Sequence, residues 1–189
     1  MKKILCCIFA LCLLLPCLAG CKFMTLSDAE ARAELERLLP KAKELTDVFY
    51  GQGLPYVPLS EDSTDYYAYV SADSPYKTIG EMKEAAAEVF SKEYQQTIYA
   101  YAFEGNEYNS SRYFAVTDDS GPTHIKINLK LEPLSMLQEI DISDAKVIEG
   151  TPAACVVRVK AKNSSGKVFD KEIKLVKQNG KWLLDGAAY

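Results

Sequence analysis

Residues 154–185 read ACVVRVKAKNSSGKVFDKEIKLVKQNGKWLLD, and the fold turns on how this stretch is read. Cys155, Val157, Val159 and Ala161 alternate with Arg158, Lys160 and Lys162. Successive side chains of a strand point to opposite faces, so an apolar set at every second position marks a half-buried strand. Asn163-Ser164-Ser165-Gly166 and Gln178-Asn179-Gly180-Lys181 then punctuate the run. Asn179-Gly180 is the strongest hairpin signal in the chain, because both residues tolerate positive φ. Strands are expected over 154–162, 167–177 and 182–185. One face buried and one wet is the pattern of an antiparallel sheet covered by helices on one side.

Working outward, period two extends back to residue 113, with further strands expected over 113–117, 124–131 and 140–148. Asp118-Asp119-Ser120-Gly121-Pro122 reads as a turn between the first two. Before Gly105 the period changes to 3.6. Ser27-Asp28-Ala29-Glu30 is a capping box, in which Ser27 and Glu30 each accept from the other's backbone amide. A helix should follow, with Leu35, Leu38, Leu39, Ala42, Leu45, Val48 and Phe49 on one face. Pro40 should kink it, lacking an amide hydrogen, and Gly51 and Gly53 should end it. Residues 54–65 read as a loop. Tyr66-Tyr67-Ala68-Tyr69-Val70 has strand-forming residues; Tyr67 and Tyr69 share a face, opposite Ala68 and, if pairing starts that early, Tyr66. Thr78-Ile79-Gly80-Glu81 is a second capping box, leading into Met82, Ala86, Val89 and Phe90 at helical spacing. A further helical stretch over 92–103 carries Tyr94, Ile98 and Tyr101 along one side. Helices first and strands afterwards argue an α+β fold, with the N-terminal helices packed on a curved antiparallel sheet.

The first twenty residues do not belong to that domain. Lys2 and Lys3 precede an uncharged apolar run from Ile4 to Leu18, shorter than the roughly 20 residues that span a bilayer. This is the build of a signal peptide. It ends in Leu18-Ala19-Gly20-Cys21, which resembles the lipobox of bacterial lipoproteins. The resemblance implies acylation of the Cys21 thiol, cleavage before it, and anchoring by two or three acyl chains, enough for a stable hold on a membrane. The expected organisation is a signal peptide over 1–20, a lipidated tether over 21–27 and one domain over 28–189, held outside the cytoplasmic membrane and close to it.

Four of the six cysteines (Cys6, Cys7, Cys12, Cys17) fall in the leader. With Cys21 lipidated, Cys155 has no intrachain partner, so the domain must rely on its core instead of disulfides. Two of the 22 basic residues also leave with the leader, so the mature chain sets 20 basic against 26 acidic residues, a net charge of −6. That balance argues against nucleic acid as a partner.

No catalytic constellation stands out. His124 is the single histidine and begins a strand; without a second His or paired thiols no metal site is expected, and no cofactor. Cys155 lies on the apolar side of its strand, where a thiol behaves as a small hydrophobe and not as a nucleophile for His124. Glu61-Asp62 and Asp118-Asp119 lack the oxygen-ligand spacing of a calcium loop and read as solvated turns. The tyrosines carry more information. Eleven of twelve lie between Tyr50 and Tyr113. Tyrosine joins a rigid apolar ring to a polar tip, which suits both a core wall and a contact surface. Tyr66, Tyr67, Tyr69, Tyr99 and Tyr101 are the candidate ligand or partner contacts.

Two resemblances bear on fold and role. Asp144-Ala145-Lys146-Val147-Ile148, residues 155–161, residues 173–177 and Gly180-Lys181-Trp182-Leu183-Leu184-Asp185-Gly186 resemble the cystatin-like or nuclear-transport-factor-2-like cone. That scaffold hosts enzymes and non-catalytic binders alike, so it implies architecture and not chemistry. Residues 42–53, residues 66–70 and Tyr76-Lys77-Thr78-Ile79-Gly80-Glu81-Met82-Lys83 leading to Val89-Phe90-Ser91-Lys92-Glu93 are similar to the IseA family, secreted inhibitors of cell-wall DL-endopeptidases. The expectation is a lipid-anchored, non-catalytic binding domain of the cell envelope, for an envelope protein or a small ligand. The alternative is an inhibitor of a cell-wall peptidase, and the third an enzyme on the cone scaffold. A deep polar cavity would favour ligand or enzyme; a filled core with an exposed tyrosine patch would favour a protein partner.

Overall fold

The computed structural model describes residues 26–105, 110–117, 124–134 and 138–189. The leader, the lipobox with Cys21 and the turn over 118–122 lie outside the described residues. Among the described residues no helix is long and apolar enough to cross a membrane.

The chain is α+β: helices lead, and two antiparallel sheets follow and receive them. Helix α1 (Asp28–Tyr50) starts at the capping box, with Ser27 N donating to Glu30 Oε2 at 2.8 Å and Glu30 N to Ser27 Oγ at 3.3 Å. Its buried face comprises Leu35, Leu38, Leu39, Ala42, Leu45, Val48 and Phe49, as the spacing predicts, joined by Ala31. Pro40 does not interrupt the helix, which runs unbroken through it. Its missing amide deprives only the carbonyl of exposed Glu36, which water can serve, while Leu39 and Ala42 on either side are held in the core. Packing therefore outweighs a local cost of about 3 kcal/mol.

Strand β1 (Tyr67–Tyr69) is followed by α2 (Ile79–Ala87), α3 (Lys92–Tyr99) and a wider π-type turn over Ala100–Glu104. The second capping box is half formed: Thr78 Oγ1 accepts from Glu81 N, but Glu81 accepts from Lys77 N instead of Thr78 N. Then come β2 (Tyr113–Val116), β3 (His124–Asn128), β4 (Glu139–Gly150), β5 (Ala154–Lys162), β6 (Val168–Gln178) and β7 (Lys181–Leu184). The β6–β7 hairpin turns on Asn179 and Gly180 at φ 51° and 80°, the paired positive φ values that the dipeptide announces.

The expected single sheet is instead two, ordered β1-β3-β2 and β4-β5-β6-β7. The reason lies in the segment after β3. Leu131 O accepts from Arg112 Nη1 at 3.1 Å, and Leu134 N donates to Tyr50 O at 2.7 Å. The chain is thus bound to the end of α1 and does not turn back to pair with β3. α1 packs along β4 and touches β7. Two register breaks, between Asp141 and Lys146 and between Val147 and Glu149, interrupt β4, and bulges of this kind bend a strand. Asp28 uses one of them: its carboxylate accepts from Val147 N at 2.8 Å and meets Lys146 Nζ at 3.2 Å. Those contacts hold the Asp28 carboxyl below its usual range, the Val147 amide contributing most. The start of α1 is so fixed to the four-stranded sheet. Its end, about 34 Å along a helix of 23 residues, is fixed to the three-stranded one.

Candidate functional site

The end of α1 explains how the three-stranded sheet is held. Tyr113, fully buried, donates its hydroxyl to Val48 O at 2.8 Å and accepts from Leu54 N at 2.8 Å. Burial pushes this phenol up to about 12, so it stays a neutral donor at ordinary pH. Arg112, buried beside it, donates from Nη2 to Gly51 O at 2.6 Å. A guanidinium at a helix C-terminus meets the negative end of the backbone dipole and the unpaired carbonyls there. Gly53, at φ 86°, passes so close that an added Cβ would lie 2.6 Å from Ile127 Cδ1 and 2.9 Å from Arg112 Nη2. No sequence pattern marks Arg112 or Gly53 for this joint; its partners are 59 and more residues away in the chain.

On that support β1, β3 and β2 lie side by side. Ala68, Tyr113, Ile125 and Ile127 are buried on the inner face. Tyr67, Tyr69, Lys126, His124, Phe114 and Val116 alternate with them, facing outward. Tyr69 pairs with Lys126 in one register and Phe114 with Lys126 in the other, so an aromatic–lysine–aromatic row crosses the three strands. Residues 55–57 extend the sheet beyond β1, Val57 N donating to Tyr69 O at 2.8 Å.

The rings touch one another. Tyr66 and Tyr67 have centroids 4.3 Å apart, and Tyr67 meets Phe114 edge-on at 4.9 Å. Tyr69 meets His124 edge-on at 5.7 Å. Tyr66 therefore joins the outward cluster and not the Ala68 side: regular pairing begins at Tyr67, so alternation does not govern the residue before it. Lys130 Nζ stands 3.6 Å from the Tyr66 ring centre, and Lys126 Nζ 4.5 Å from that of Tyr69. The Tyr67 hydroxyl lies 3.4 Å from Ser110 Oγ. The hydrogen bonds that Tyr67 shares with Ser110 and Tyr66 hold its phenol below its ordinary value, while the bond to Tyr67 raises Tyr66.

Tyr99 and Tyr101 serve different neighbours. The Tyr99 hydroxyl is 3.1 Å from Lys83 O, and its ring meets Phe103 at 5.6 Å, which itself packs edge-on to Phe49 at 5.9 Å. Tyr101 lies against Tyr50 at 5.1 Å. Both are half-buried against helices, and the outward row is built from the other three. Phe114, Lys126 and Lys130 escape a search for chemical motifs because each is unremarkable alone. The alternation of Lys126 with Ile125 and Ile127 was the available signal.

The other candidates are separated. His124 is exposed on β3, whereas Cys155 is buried on β5 of the other sheet. Burial pushes the Cys155 thiol up to about 11, away from the thiolate form that attacks. Glu61 and Asp62 are exposed, and Asp118-Asp119 lies outside the described residues. Beneath the sheets Leu35, Leu38, Leu45, Phe49, Phe90, Ile98 and Tyr113 are buried at 2% exposure or less. The surface carries shallow clefts, one of about 390 Å³ beside Cys155, Lys174 and Asp185, and one of about 270 Å³ between Tyr76, Lys77 and His124. No protein-family model matches the chain, and no curated protein matches it.

Proposed function

We propose that this protein is a lipid-anchored, non-catalytic binding domain of the bacterial cell envelope that engages its partner through the outward face of the three-stranded sheet. The observation that carries the reading is the uncovered aromatic row: Tyr69 is 44% exposed, beside half-buried Tyr66, Tyr67 and Phe114. Tyrosine gives large contact area at little entropic loss, and a sheet face gives it a rigid base. The anchor rests on Leu18-Ala19-Gly20-Cys21 behind its apolar run.

The test places a photo-crosslinking amino acid at position 69 or at position 160 in intact cells producing the full chain. Adducts from 69 and none from 160 are the expected result; none from 69 ends the reading. Cys21→Ser addresses the anchor, and should release the protein from the membrane fraction. A protein that stays bound without acyl chains on residue 21 sinks that part.

A second reading, inhibition of a cell-wall peptidase, is favoured by the same exposed aromatic face, which suits contact with another protein. Dose-dependent slowing of a DL-endopeptidase on peptidoglycan near stoichiometric ratios supports it, and no effect at large excess removes it.

A further inference from the structure

We infer that the lysine–tyrosine face of β1-β3-β2 docks an extended acidic peptide segment, its carboxylates meeting Lys126 and Lys130 and its apolar side chains lying on Tyr67, Tyr69 and Phe114. This rests on the binding-domain reading and names the chemistry of the partner.

On the wet face of the four-stranded sheet three cations meet anions of the chain: Arg158 meets Glu172 at 3.0 Å, Lys160 meets Asp170 at 2.5 Å and Lys162 meets Glu139 at 3.2 Å. On the three-stranded face the ammonium groups stand on rings instead. Among the described residues the one carboxylate within ion-pair reach of them is Asp65, 3.9 Å from Lys126. A cation over an exposed phenol gains about 0.5–1 kcal/mol. A charge-assisted hydrogen bond to a carboxylate gains about 1.5–3 kcal/mol; Lys130 is exposed to donate one, and Lys126 partly so. The face thus presents donors and apolar rings on a chain whose mature charge is −6, a local reversal that selects an acidic partner.

The spacing suits an extended chain. Tyr67 and Tyr69 are two residues apart on one strand, about 7 Å, which is the repeat of same-face side chains in another extended segment. Nucleic acid is disfavoured, because two lysines on an acidic protein cannot neutralise a run of phosphates. An anionic membrane is disfavoured by position: the face is fixed to the far end of α1, about 34 Å from Ser27, where the tether joins.

The experiment titrates the full mature protein, purified from membranes in detergent micelles, into a fluorescein-labelled glutamate–tyrosine copolymer and reads anisotropy. We expect saturable binding that weakens at least tenfold in Lys126→Glu/Lys130→Glu and severalfold in Tyr69→Ala. Arg158→Glu/Lys160→Glu on the other sheet should leave it unchanged. Should the double variant misfold by circular dichroism, Lys130→Glu, at an exposed position, carries the same test. No binding up to about 1 mM copolymer, or equal loss in the control variant, overturns the inference. So does lysine-dependent binding to phosphatidylglycerol vesicles without binding to the copolymer. If the copolymer fails while position 69 still forms adducts in cells, the inference falls and the binding-domain reading stands; if both fail, both fall.

Discussion

The two sheets each turn one face to water, and they treat their charges differently. The four-stranded sheet pairs cations with anions directly across β5 and β6, Arg158 opposite Glu172 and Lys160 opposite Asp170. The three-stranded sheet places Lys126 between Tyr69 and Phe114. In the first arrangement the paired groups satisfy one another within the chain, and exposed pairs of this kind are worth about 0–1 kcal/mol each. The second retains capacity for a group from outside. Two surfaces equally open to water thus differ in whether their charges already have partners within the chain.

The sheets also differ in how they are held. The four-stranded one buries its own apolar ladder, Cys155, Val157, Val159, Ala161, Ile173 and Leu175. The three-stranded one hangs on the polar joint at the end of α1. Arg112→Met should break that asymmetry most strongly. It removes charge-assisted bonds to Gly51 O and Leu131 O, a loss of roughly 3 kcal/mol in urea unfolding. Hydrogen exchange should rise first in β1, β2 and β3. Equal acceleration in β5 and β6 would show that the two sheets open together.

Cys155 probes the other sheet. Burial favours the neutral thiol, so its contribution to stability is complete below the unfolded value near 9 and is lost as pH climbs through about 11. Alkylation by iodoacetamide at pH 8 should be roughly a hundredfold slower in native than in urea-unfolded protein, two pH units being a factor of that size in thiolate. Similar rates would mean that the sheet opens readily.

Gly53→Ala tests the joint through the backbone. Its positive φ and the approach of Ile127 and Arg112 predict a loss of about 2 kcal/mol, read as a lowered melting temperature. Gly166, also at positive φ but with nothing near its missing Cβ, is the comparison and should lose about 1 kcal/mol or less. The smallest effect belongs to Lys160→Ala, below about 1 kcal/mol, since its ion pair with Asp170 is exposed on both sides. A larger loss would mean that the charge ladder holds the sheet together.

The residues that were readable in advance share one property: their signal is local. The face of α1 from Leu35 to Phe49, the Ser27–Glu30 box and the Asn179-Gly180 turn follow from spacing within a few residues. The site was half readable. Tyr67 and Tyr69 could be put on one face by alternation, but Tyr66 turned to join them, and Tyr99 and Tyr101 went to the helices. Lys126 and Phe114, which complete the row, come from strands with 43 or more residues between them and β1, and Lys130 comes from the turn after β3. Nothing in their own neighbourhood reports that meeting.

The α+β order, the buried stripe of α1, the wet and dry faces of β5 and a net charge of −4 were set by the residue order alone, because periodicity and composition act through neighbouring residues. The division of the strands into two sheets, the unbroken passage of α1 through Pro40 and the seating of Lys126 and Lys130 on tyrosine rings were settled by contacts between distant segments. Those outcomes depend on which distant groups reach an unpaired carbonyl, a filled core or an open ring first. The carbonyls of Gly51 and Leu131, 80 residues apart and gathered by one guanidinium, are the clearest case.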